Sequence, residues 1–99
     1  MPQALWTADA AKDLEEIAYY IGQLDARPLV ADRIVDEIKA RADFFAAALN
    51  VGQTAAQFPA GWQFFRHKRW IVLYREVEAG IEVLRVIDGS REFGALFPT

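Results

Sequence analysis

The sequence predicts an α+β domain whose elements follow the order strand, helix, helix, three strands and a short tail. Apolar residues recur at helical spacing in two stretches of the first half. After residue 61, three runs are rich in aromatic and β-branched residues, as strands are. Short polar segments separate these runs and are suited to hairpin turns. At 99 residues, the chain is expected to form a single domain over residues 1–99.

Composition excludes several classes of function. The chain is 54% hydrophobic and 13% aromatic, which favours a packed core over disorder. It has no cysteine and one histidine, so thiolate chemistry, disulfides and multi-histidine metal sites are excluded, and we expect no cofactor. No apolar run approaches the roughly 18 residues of a membrane helix, and no signal peptide is visible. We therefore expect a cytoplasmic protein without a membrane partner.

Charge is unevenly distributed along the chain, whose net charge is −3. Residues 1–59 hold nine acidic and five basic residues, whereas residues 60–99 hold five acidic and six basic residues. This mild basic excess falls short of the strong patch typical of nucleic-acid-binding domains. We expect no direct DNA binding and infer that the two halves present faces for different partners.

The first half is interpreted as a short strand followed by a helical hairpin. Residues 4–6 form the strand, and Thr7 offers a hydroxyl cap to the first helix, which ends near Gly22. A second helix is predicted over residues 28–48, with an apolar stripe that reaches Leu49. Two helices joined by so short a connection are expected to pack antiparallel.

Three acidic residues, Asp9, Asp13 and Glu16, share one face of the first helix. Paired carboxylates can perform acid–base chemistry, but a solvated helix face explains this spacing better. We therefore predict that all three point into water.

The second half is interpreted as three strands over residues 62–66, 70–76 and 81–88, after a loop over residues 50–61. Residues 67–69 and 78–80 form the turns, the second with a glycine that can take positive φ. In the last strand Arg85 falls on the more apolar face. Pairing with a carboxylate such as Asp88 or Glu76 is one interpretation, and contact with a partner's carboxylate is the other.

Several motifs, taken together, give the chain a family resemblance. They are the helical segments 14–21 and 31–38, FPAG at 58–61, YR at 74–75, IEVLRVI at 81–87, DGSRE at 88–92 and ALF at 95–97. In this order and spacing, over nearly the whole chain, the sequence resembles toxins of the ParE/RelE superfamily of bacterial type II toxin–antitoxin systems. The resemblance implies a helical hairpin packed on a mostly antiparallel sheet. It also implies a cognate antitoxin, ParD-like or similar, that forms a hetero-oligomer with the toxin.

The superfamily has two main activities, and the resemblance favours one of them. RelE-like members cleave messenger RNA on the ribosome with cationic side chains, whereas ParE-like members inhibit DNA gyrase. Trp62 and Phe65 fall where RelE-like chains carry lysines, and Ile71 falls near an arginine position. Arg91 is retained, while Asp88 stands where many relatives have histidine. We expect a gyrase-inhibiting toxin that arrests growth and has no catalytic residue. A ribosome-dependent endoribonuclease is the alternative, and a member that has lost its toxicity is a third.

Two sets of residues are candidates for these contacts. The target-binding candidates are Arg91, Arg85, Trp62, His67, Lys68 and Arg69. The cluster at 67–69 is the densest basic segment, although a solvated turn explains it as well. The antitoxin-binding candidates are Tyr19, Tyr20, Phe65, Trp70 and Arg75. For the aromatic residues a core position is the open alternative, and one tyrosine of the pair is expected to pack while the other faces outward. The net negative charge predicts that the antitoxin binds mainly through apolar side chains.

Overall fold

The computed structural model describes residues 2–49 and 51–89 and confirms the predicted order of elements. The elements are β1 (Gln3–Trp6), α1 (Ala8–Tyr19), a π-helical turn (Tyr20–Leu24), α2 (Pro28–Ala47), β2 (Trp62–His67), β3 (Trp70–Val77) and β4 (Gly80–Asp88). The predicted tail, including Arg91, lies outside the described residues. Among the helices of the described ranges, none combines the length and apolar character that crossing a bilayer requires.

The strands form one sheet in the order β1-β4-β3-β2. β2, β3 and β4 pair antiparallel, and β1 pairs parallel with the first half of β4, from Gln3 opposite Gly80 to Trp6 opposite Val83. Gly80 has φ 140°, and a Cβ atom there would lie 2.3 Å from the backbone oxygen of Gln3. Glycine is therefore required at this position for β1 to approach the sheet closely.

The two helices pack on one face of the sheet and form the core with it. Phe45 of α2 stacks on Phe65 of β2, with ring centroids 4.5 Å apart and planes 1° from parallel. The buried residues of this cluster include Ala10, Leu14, Ile17, Ile21, Ala31, Ile34, Ile38, Ala42, Phe65, Trp70, Val72, Tyr74, Ile81, Val83 and Val86. Burial of the two helical stripes confirms the predicted amphipathic pattern.

The helix ends differ from the prediction in two places. The first helix does not end at Gly22 but widens into the π-helical turn, in which the Asp25 N–H donates to the Tyr20 carbonyl at 3.0 Å. α2 ends at Ala47, so Leu49 lies beyond the helix and is exposed rather than part of the stripe. The predicted cap is confirmed: Thr7 accepts a hydrogen bond from the Ala10 N–H at 3.1 Å.

A β-bulge interrupts the β3–β4 ladder and reverses the side-chain alternation of β4. Leu73 lies opposite Arg85, and Tyr74 lies opposite Val83, so Leu84 has no partner across the ladder. Beyond the bulge Val86, rather than Arg85, joins Val83 in the core. The predicted alternation, which placed Arg85 on the apolar face, is therefore wrong after Val83.

Tyr74 gives the fold a specific response to alkaline pH. Burial, with a smaller contribution from Glu76, raises the pKa of its hydroxyl from 10.0 to about 12. A raised pKa favours the protonated folded state, so this stabilisation is complete below pH 10 and is lost as the pH rises towards 12. Between these pH values the free energy of unfolding should fall by about 2 kcal/mol more in the wild type than in Tyr74→Phe. Urea denaturation of both proteins across this range measures it. If the free energies of unfolding of the two proteins fell equally over this pH range, the raised pKa of Tyr74 would be contradicted.

Candidate functional site

Asp13 connects α1 to β4 through three hydrogen bonds. Its Oδ2 accepts from Arg85 Nε at 2.7 Å and from the Val86 N–H at 2.9 Å, and its Oδ1 accepts from Arg85 Nη2 at 3.0 Å. Asp13 is 8% exposed. The prediction that it points into water with Asp9 and Glu16 is therefore wrong for Asp13, although those two residues are exposed.

The position of Asp13 in the sequence indicated that it is buried, but the acidic face it shares with Asp9 and Glu16 suggested a solvated residue. Asp13 lies three residues after Ala10 and four before Ile17, so it falls within the buried stripe of α1. Arg85 pairs with Asp13 of α1, not with the expected Asp88 or Glu76 of the sheet. The hydrogen bond with Asp13 raises the pKa of the Arg85 guanidinium, against the opposing effect of partial burial. Arg85 is therefore a fixed cation at the protein surface.

The predicted turn after β2 is confirmed, but its basic cluster is only partly available. His67 Nε2 lies 2.9 Å from Glu37 Oε1 of α2, and Arg69 forms an ion pair with Asp88. Lys68, with φ 55°, is exposed at the tip of the turn. Carboxylates thus engage two of the three side chains of this cluster, and the sequence pattern did not reveal Glu37 as a partner.

The antitoxin-binding candidates divide into buried and exposed residues. Phe65 and Trp70 are 2% and 8% exposed, so the structure places both in the core, the alternative that the sequence left open. Tyr19 and Tyr20 are 59% and 49% exposed. The expectation that one tyrosine of the pair packs while the other faces outward is therefore wrong.

The opposite face of the sheet carries two further candidates. Trp62 is half-buried beside Phe58 of the preceding loop, with ring centroids 6.4 Å apart. Arg75 is exposed and forms an ion pair with Glu82 at 2.8 Å. Trp62 and Arg75 lie opposite each other on the paired strands β2 and β3.

A cavity of about 300 Å³, here named the α1–β4 cavity, brings together four of the candidates. These are Tyr20, Arg69, Trp70 and Arg85, and the remaining lining residues are Asp13, Glu16, Ile17, Val86, Ile87 and Asp88. Arg85 and Arg69 are each held by an aspartate. Because a guanidinium has five N–H donors, these ion pairs leave donors for a further contact. Such an arrangement is suited to binding a partner's side chain.

Metal chemistry has no support in the described part of the chain. Within residues 2–49 and 51–89, no group of three or more His, Cys, Asp or Glu side chains is placed to hold a metal ion. Arg91, the candidate on which the ribonuclease alternative most depends, lies outside those ranges.

A family model and several solved structures match the chain. The model of a family described as the ParE toxin of the type II toxin–antitoxin system parDE matches residues 4–93. A solved structure of a chromosomal ParDE TA system from P. aeruginosa resembles the chain with a TM-score of 0.70 and 22% identity, covering 89% of this chain and 96% of that chain. At this identity the structural likeness concerns the fold. No curated protein matches the chain.

Proposed function

Because the chain belongs to the ParE toxin family of type II toxin–antitoxin systems, we propose that it inhibits DNA gyrase by binding it and that a cognate antitoxin neutralises it. The toxin acts in this proposal as a contact surface and performs no reaction. Binding by arginine and aromatic side chains is consistent with such a role, since these residues often dominate protein interfaces.

The burial of two sheet positions carries this proposal. Phe65 and Ile71 are 2% and 3% exposed, at positions where the ribonuclease branch of the superfamily is expected to present cations. RNA cleavage by attack of a 2′-hydroxyl requires cations around the phosphate transition state and groups that move protons. An apolar side chain packed in the core supplies neither, which favours the gyrase-binding activity.

The carboxylate contacts of His67 and Arg69 support the same conclusion. Glu37 holds His67 and Asp88 holds Arg69, so both side chains have carboxylate partners. A carboxylate beside a cation lowers its attraction for a phosphate group. Lys68 is exposed, and Arg85, like Arg69, keeps N–H donors for a protein target beside its carboxylate partner.

A supercoiling assay with purified gyrase and purified toxin tests the proposal. We expect inhibition at micromolar toxin, relieved by an equimolar amount of the antitoxin. Arg91→Ala is expected to weaken inhibition at least about fivefold, because a guanidinium binds carboxylates with charge-assisted hydrogen bonds. Lys39→Ala, which removes an exposed cation from α2, is the matched control and should inhibit like the wild type. Supercoiling that proceeds unchanged at micromolar toxin would refute the proposal.

A further inference from the structure

Glu16 has a distinct position among the three carboxylates of the α1–β4 cavity. Asp13 is bound to Arg85, and Asp88 is paired with Arg69. Within residues 2–49 and 51–89, the Glu16 side chain makes neither a hydrogen bond nor an ion pair, although it is close enough to Arg85 to influence that group electrostatically. Its side chain is exposed at the edge of the cavity. The three acidic and two basic lining residues leave the cavity with a formal charge of −1.

The remaining walls of the cavity suit the stem and the charge of a basic side chain. Tyr20 contributes an exposed aromatic ring, near which a cation binds favourably, whereas the Trp70 ring already has the Arg69 guanidinium 5.0 Å from its centroid. Ile17 adds an apolar surface on which the methylene groups of a lysine or arginine can pack. A carboxylate, an exposed aromatic ring and an apolar surface therefore converge on one cavity.

We propose that the α1–β4 cavity binds a single lysine or arginine side chain of the antitoxin, with Glu16 as the carboxylate that receives it. This inference rests on the proposed function, since it takes the antitoxin as the partner. Charge complementarity supports a basic occupant, because the chain has a net charge of −3 and its first 59 residues are predominantly acidic. The contact would add one charged anchor to an interface that the sequence predicts to be mainly apolar.

Binding of the full-length toxin to the antitoxin tests the role of Glu16. At low salt, Glu16→Gln should weaken the affinity about tenfold, the loss expected for a charge-assisted hydrogen bond. Glu15→Gln is the matched control, because Glu15 is an exposed carboxylate on α1 that does not line the cavity. Its affinity should stay within about twofold of the wild type. Isothermal titration calorimetry measures all three proteins.

Salt dependence and stability separate a direct contact from a structural effect. Raising the salt concentration should weaken the wild-type complex more than the Glu16→Gln complex, since the variant lacks the charge pair. The melting temperature of free Glu16→Gln should match that of Glu15→Gln. Equal affinity of Glu16→Gln and the wild type, or equal weakening by both variants, would overturn the proposal.

A small-molecule probe tests the cavity without the antitoxin. Titration with N-acetyl-arginine methylamide should shift the NMR signal of the Trp70 indole N–H in the wild type, and the shift should be reduced in Glu16→Gln. The N-acetyl-glutamate analogue should leave the signal in place. A response to neither probe, or an equal response to both, would overturn the assignment. The gyrase assay reports on a different partner, so its failure would contradict the proposed function and leave these results unchanged.

Discussion

Replacing Phe65 by alanine should lower the free energy of unfolding by about 3–5 kcal/mol, because the change empties a buried aromatic site. Phe65 is 2% exposed, stacks on Phe45 at 4.5 Å, and lies below the Arg41 guanidinium, which is 5.0 Å from its ring centroid. The alanine side chain would remove both ring contacts and leave a cavity between α2 and the sheet. Urea denaturation measures the change.

Phe44→Ala is the matched control for this prediction. Phe44 lies next to Phe45 on α2 but is 61% exposed. Its replacement should change the free energy of unfolding by less than about 1 kcal/mol, as is usual for surface sites. If the two variants were equally stable, Phe65 would not be a core residue, and its burial would no longer argue against a reaction centre on the sheet.

The second large effect is expected at Asp13, whose removal leaves two partners unsatisfied. Asp13→Ala leaves the partly buried Arg85 guanidinium without its ion-pair partner and the Val86 N–H without its acceptor. Because Arg85 is 44% exposed, water compensates part of this loss, and we expect destabilisation of about 3 kcal/mol. Chemical denaturation near neutral pH gives this value directly.

Two further variants divide the contribution of Asp13 into its parts. Asp13→Asn keeps an oxygen that can accept the Val86 N–H and removes the charge, so it should fall between the wild type and Asp13→Ala. Glu15→Ala, at an exposed position of the same helix, should change stability by less than about 0.5 kcal/mol. An Asp13→Ala protein as stable as Glu15→Ala would show that the connection between α1 and β4 contributes little.

The elements of this fold were predictable because their signals are local. The apolar stripe of α1 and the β-branched character of β4 each arise within a dozen residues, and the Thr7 cap needs only the following turn. The parallel pairing of β1 with β4 joins residues almost 80 positions apart in the chain. Such long-range pairing has no local signature, so sequence patterns alone did not reveal it.

The candidate site was less predictable, because it depends on one irregularity in the sheet. Regular alternation places Arg85 with Ile81 and Val83, and the bulge at Leu84 removes it from that row. A register shift of one residue therefore determines whether Arg85 is predicted to be an unpaired charge in the core or a surface cation bound to Asp13. The rule that carboxylates on a helix face are solvated also failed here, because this arginine compensates the burial of Asp13.

The central claim is that the sheet of this toxin is a contact surface and not a centre of RNA cleavage. Primer extension on messages from cells that express the toxin without its antitoxin tests it most directly. We expect growth arrest with filamentation while the messages stay intact from end to end. New cuts at codon spacing, reproduced by the purified protein on ribosomes and abolished by Arg91→Ala, would contradict the claim.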